Sequence, residues 1–218
     1  MRLLLLGFCV LATLATAAHA ATFTIGGTTI SVPDDEGRCA INGSDPASRA
    51  WFEQAARAQQ GVGNQLKLIV IKCSELGIVS GRGGQLSEWT MVYMSRRSFR
   101  VPPGTQHDRY SGDFCRSMPG FIAKSGESIK NRTSSVLKEV YGRDLPTTFD
   151  KPFLYEDSCF MPLRSKQSAT ATVYGMFTPI VASDRLFFVS TYSYSSLSFP
   201  HMMRHLQHWS RFARGQAS

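Results

Sequence analysis

The chain is poor in signatures. It has no C-x-x-C pair, which argues against a cysteine-bound zinc site. It has no G-x-S-x-G elbow, so an α/β-hydrolase nucleophile has no seat. The glycine-rich run Gly81-Arg82-Gly83-Gly84 is not followed by a Walker lysine, and it reads as a flexible loop, not a phosphate cradle. Ser135 and Lys138 form an S-x-x-K string without the companion motifs of penicillin-binding enzymes, so it reads as chance. Beyond the N-terminus no apolar run is long enough to span a bilayer. No internal repeat and no long disordered tract appear. Acidic residues are also scarce: 16 Asp and Glu face 24 Lys and Arg, a formal charge of +8. A basic chain suits anionic lipid, lipopolysaccharide, nucleic acid or an acidic protein, and charge alone does not choose among them.

The N-terminus is informative. Met1-Arg2 is a short positive segment, Leu3 to Ala18 is almost wholly apolar, and Ala18-His19-Ala20 is an A-x-A cleavage pattern. This is the pattern of a secretory signal peptide over residues 1–20. Phe8 before Cys9 is not the small residue that a lipid-attachment signal carries. The expected mature chain, residues 21–218, has the size of a single α+β domain with a full core. The expected location is periplasmic or secreted.

Cleavage would leave four cysteines, Cys39, Cys73, Cys115 and Cys159. An even count in an exported chain predicts two disulfides with three possible pairings. Cys39–Cys73 with Cys115–Cys159 is preferred, because each bond ties a helical segment to neighbouring strands.

Thr22 to Val32 alternates around Gly26-Gly27 and predicts a hairpin. The acids of Pro33-Asp34-Asp35-Glu36-Gly37 read as a solvated turn, since no EF-hand spacing follows. Asp45-Pro46 opens a first helix with Trp51, Ala55, Ala58 and Val62 on its apolar stripe. Strands are expected at Leu66 to Leu76 and Glu88 to Ser95. A second helix is expected from Asp113, interrupted at Pro119-Gly120 and resuming to Tyr141, with Ile129, Val136, Leu137, Val140 and Tyr141 inward. Residues 144–164 carry Pro146, Pro152 and Pro162 and read as irregular. Ala169 to Val181 and Leu186 to Ser195 predict two further strands, with bulk on both faces. Phe199 to Arg214 predicts the last helix. Strand pairs alternating with helices predict an α+β fold, a mostly antiparallel sheet of about six strands with helices covering both faces.

Three stretches carry a resemblance to the PsbP-like fold group: the opening TFTIGGTTISVPDDEG, the helix after it, and the closing DRLFFVSTYSYSSLSFPHMMRHLQHW. The resemblance implies an extracytoplasmic or organellar binding module, largely non-catalytic, and transfers no site residue. The cysteines and the proline-rich 144–164 segment depart from the pattern.

Two candidate sites follow. Arg96, Arg97 and Arg100 cluster around Phe99 and are candidates for contact with an anionic surface. One aromatic beside one arginine cluster is not a nucleic-acid motif, so nucleic acid is disfavoured. HMMRHLQH brings His201, His205 and His208 within about 60° on the closing helix. Met202, Leu206, Trp209 and Ala213 fall on its core face, Arg204, Arg211 and Arg214 on its solvent face, and the histidines between. Such a stripe is a candidate copper or zinc site, with an ordinary helix edge as the plainer reading.

The leading expectation is a non-catalytic exported binding or accessory module that docks a protein or an anionic envelope component, without a cofactor. The alternatives are a periplasmic copper- or zinc-binding protein using the C-terminal histidines, and a hydrolase whose residues, His107-Asp108 and scattered serines, converge from distant loops.

Overall fold

The computed structural model describes residues 21–33, 37–97, 99–141, 145–168, 170–195 and 198–215. The expected signal peptide, residues 1–20, the acids 34–36 and the side chains of Ile129, Leu137, Val140 and Tyr141 lie outside the described residues. No helix among the described residues is long and apolar enough to cross a membrane.

Two strands, β1 (Thr22–Ile25) and β2 (Thr28–Ser31), form a separate hairpin. Gly26 and Gly27 hold φ of +53° and +85°, the left-handed pair that a two-residue hairpin turn requires. The other strands are β3 (Arg38–Ile41), β4 (Asn64–Lys72), β5 (Glu88–Ser95), β6 (Thr147–Phe149), β7 (Phe153–Tyr155), β8 (Ser158–Lys166), β9 (Thr172–Ala182) and β10 (Arg185–Ser193). They form an eight-stranded antiparallel sheet in the order β3-β4-β5-β10-β9-β8-β6, with β7 paired to β8. The fold is therefore α+β and mostly antiparallel, but its sheet exceeds the six strands expected. Four strands were not expected: β3, β6 and β7 have three or four residues, too few for a period to register, and the nine-residue β8 carries Pro162 in its interior.

The proline-rich 144–164 segment, expected to be irregular, thus contributes β6, β7 and most of β8. Pro162 shows how this is possible. Its carbonyl accepts from Asp150 N at 2.9 Å, and N and O of one antiparallel residue point the same way. The missing N–H therefore faces Asp150, just past the end of β6, and the continuous ladder with β9 on the other side is untouched.

Three helices cover the sheet: α1 (Pro46–Gly61), α2 (His107–Tyr141) and α3 (Phe199–Gly215). Asp45 caps α1, accepting from Ala47 N at 3.1 Å and from the Ser48 hydroxyl at 2.9 Å. α2 starts six residues before the predicted position and runs through Pro119 without a break. The proline removes one helical hydrogen bond, but neighbours hold the turn around it. Met118 is buried against β8, and Cys115 is bonded to Cys159. Cys39 is bonded to Cys73, so both preferred disulfides are present.

The two faces of the sheet have different partners. Leu68 and Val70 of β4 and Phe187 and Val189 of β10 face β1, β2 and α3, meeting Phe23, Ile25, Met202, Leu206 and Trp209. Ile69, Ile71 and Tyr93 face α1, and Met161, Leu163 and Phe177 face α2. Each large apolar side chain fully buried this way contributes roughly 1.5–3 kcal/mol. A bulge at Lys67 shifts the β4–β5 register, so Leu66 joins the α1 face although it is two residues from Leu68.

Candidate functional site

The arginine cluster sits where β5 ends. Phe99 fixes it. The Phe99 carbonyl accepts from Leu186 N at 2.7 Å, and its ring fills the space a Cβ on Gly26 would need, 2.7 Å away. Arg100 forms a bridge with Arg185 at the start of β10, and its guanidinium stands 5.9 Å from the Phe99 ring centre. Arg96, Arg97 and Arg100 are exposed. None is in an ion pair among the described residues. Beside Arg96 opens a cleft of about 520 Å³, lined also by Phe99, Met94 and the amides Gln60, Asn64 and Gln65.

The histidine stripe is placed differently from its expectation. Met202, Leu206, Trp209 and Ala213 are buried as predicted, and Arg204 and Arg211 are exposed. His201 and His208 are also exposed, but His205 is buried. On the helical wheel His205 lies about 40° from Trp209, and Thr90 of β5 faces it, so it joins the core instead of the boundary. Its Nε2 accepts from the Trp209 indole N–H at 3.2 Å and lies 3.1 Å from Thr90 Oγ1. His201 and His205 stack with ring centres 6.4 Å apart, while His208 packs by Phe212.

Sequence spacing missed the acid beside this stripe. Glu88, buried on β5, approaches His201 Nε2 at 3.4 Å and forms a short ion pair with Arg38. Burial pushes its carboxyl up, but the Arg38 hydrogen bond and charge, with the fields of His201 and His205, bring it below the usual range. Among the described residues no group of three or more His, Cys, Asp or Glu is arranged to hold a metal ion.

His107 and the serines do converge. His107 Nε2 lies 3.0 Å from Ser210 Oγ and 3.3 Å from both Ser111 Oγ and Ser158 Oγ, all buried. Its Nδ1 accepts from Val181 N at 3.3 Å. The ring proton of the neutral form is therefore on Nε2, facing the serines as a donor. A catalytic base needs the reverse: a free lone pair toward the serine and an acid on the other nitrogen. Asp157 instead accepts from Ser158 at 3.1 Å and pairs with Arg214 at 2.6 Å. Asp108 turns back to Arg109 N. The cluster joins α2, β8, β9 and α3 as a satisfied polar core. Burial and the nearby Arg214 charge push the His107 imidazole down to about 4, against a weaker upward pull from Asp157 and Asp108.

No family model matches the sequence. No curated protein matches it significantly. A solution structure of cyanobacterial PsbP from Synechocystis sp. PCC 6803 aligns with 84% of this chain and 84% of its own, at 8% identity and a TM-score of 0.35. It comes from the group whose fold the sequence resembles. At that identity and score the likeness assigns no function to this chain.

Proposed function

We propose that the protein is an exported, non-catalytic module that docks on anionic lipid through Arg96, Arg97 and Arg100. The observation that carries this reading is the run of three exposed guanidinium groups with no ion pair among the described residues. An arginine fork matches a phosphate oxygen pair, and among the described residues no carboxylate competes for it. Phe99 is packed against Gly26 in the β1–β2 turn and hydrogen-bonded to Leu186 of β10, which fixes the backbone beside Arg100. The cleft beside Arg96 offers apolar surface next to the charge. Export is supported by the apolar N-terminal run ending in A-x-A and by the two disulfides. The inverted tautomer of His107 speaks against a hydrolase.

Flotation with phosphatidylglycerol vesicles tests the reading. Binding is expected at low salt, should fade as salt screens the charges, and should be absent on phosphatidylcholine. At about 1 kcal/mol per arginine, the triple alanine variant should bind on the order of 100-fold more weakly. Equal binding to both lipids, or by wild type and triple variant, would overturn it.

A further inference from the structure

The sheet face toward α1 and α2 is not fully covered. α1 packs over β4, and α2 packs over β8 and β9. The strands between them, β5 and β10, lie under the gap. The helices meet at one end, where Val136 presses so closely on Gly61 that a Cβ there would sit 2.5 Å from it. The rest of the gap is a cleft of about 420 Å³. Its floor is aromatic: Trp89 stacks on Tyr192 at 5.3 Å and 17°, with Tyr194 tilted beside them. Small residues on the inner stripe of α1, Ala55 and Ala58, leave the room open. The volume falls within the range of small-molecule sites, ~300–1,000 Å³.

The chemistry of the lining is selective. Among the described residues, the 23 that line it include no Asp, Glu, Lys, Arg or His, although the chain carries 24 Lys and Arg. Its polar groups are amides and hydroxyls, with Gln59, Gln85 and Gln167 among them. Gln59 Oε1 accepts from Asn64 Nδ2 at 2.9 Å, and its own amide nitrogen lies 3.9 Å from the Met91 sulfur. A charged ligand entering this space would lose water and gain no counter-charge. A neutral ring would gain a stacking partner from the half-buried Trp89 and Tyr192.

We infer that this cleft is a binding site for an uncharged, ring-bearing, mostly apolar small molecule. Its lining contains none of the three arginines of the proposed docking surface, so the two readings stand or fall separately.

Two fluorescent probes that share one ring system test the inference on the disulfide-intact protein. N-phenyl-1-naphthylamine is neutral, and 1-anilinonaphthalene-8-sulfonate adds a negative charge. Saturable binding of one neutral probe per chain is expected, with the sulfonate at least about tenfold weaker. Methyl NMR should move Met91, in the cleft, and leave Met202, under α3, in place. Gln59→Glu keeps the acceptor for Asn64 and adds a charge, so it should weaken the neutral probe about tenfold without lowering Tm. Gln85→Glu, at an exposed lining position, should weaken it in the same direction and gives a second readout if the first variant folds poorly. Equal affinity for the two probes, a shift at Met202 instead of Met91, or unchanged neutral-probe affinity in both folded variants would overturn the inference.

Discussion

His205 and Trp209 are joined across one turn of α3, with the indole N–H donating to the imidazole Nε2 at 3.2 Å. Trp209 is fully buried at the centre of its core, so its N–H has no water to turn to. His205 is the acceptor that allows the ring to be there. Replacing His205 with alanine should therefore cost stability, about 1–3 kcal/mol for the unsatisfied donor with a further loss from the space left behind. Denaturant unfolding checks this. Stability equal to wild type would show that Trp209 finds another partner.

The same bond bears on metal capture. Coordination through His205 Nε2 would have to displace the Trp209 N–H, and His208 packs by Phe212. Calorimetric titration of the intact protein with Cu²⁺ or Zn²⁺ is expected to give no affinity beyond that of an exposed imidazole such as His201. A tight site abolished in both His201→Ala and His205→Ala would reverse this.

Gly26 is a second point of leverage. Its φ is +53°, and a Cβ would meet Phe99 at 2.7 Å and Arg185 Nε at 3.0 Å. Gly26→Ala should therefore strain the turn and push Phe99 off its seat, costing on the order of 1–3 kcal/mol. If Phe99 positions the arginines, vesicle affinity should fall as well. Gly27 has positive φ but open space around it, so Gly27→Ala should strain the turn and leave the lipid affinity unchanged.

The disulfides close loops of 34 and 44 residues. In the chain-entropy model each contributes about 4 kcal/mol. Thiol counting after denaturation of the protein without residues 1–20 should find no free thiol. Reduction should lower the denaturant midpoint by an amount consistent with the loss of both constraints.

Strongly periodic parts of the fold were legible in the sequence. Glu88 to Ser95 was expected as a strand and is β5 to the residue. The core face of α3 follows from four apolar residues on one side, and the disulfide pairing from which elements needed tying. What failed to show was non-local. The burial of His205 depends on which strand faces α3, not on its wheel angle alone. Pro162 looked like a strand breaker because its spare edge exists only once β6 and β7 are placed. The cleft is lined by pieces of α1, β5, β6, β8, β9 and β10, so no single window of sequence contains it.

His107 sets the pH dependence to be expected of the fold. Its folded value is pushed down to about 4 from 6.5, chiefly by burial. Between those values the unfolded chain holds a proton that the folded chain does not. Stability therefore rises with pH through this window. The contribution is fully present above about pH 6.5 and is lost as pH falls toward 4. A difference of this size corresponds to about 3 kcal/mol. Two carboxylates give losses of the same sign at lower pH: buried Glu88 and half-buried Asp157 are held below ordinary values of 4.5 and 3.8, desolvation notwithstanding, by Arg38 and Arg214. The histidine is thus separable from them. Unfolding free energies measured from pH 4 to 7 should slope upward in wild type and flatten in His107→Asn, whose amide can keep the serine contacts without titrating. An unchanged slope in a folded His107→Asn variant would assign the acid sensitivity elsewhere.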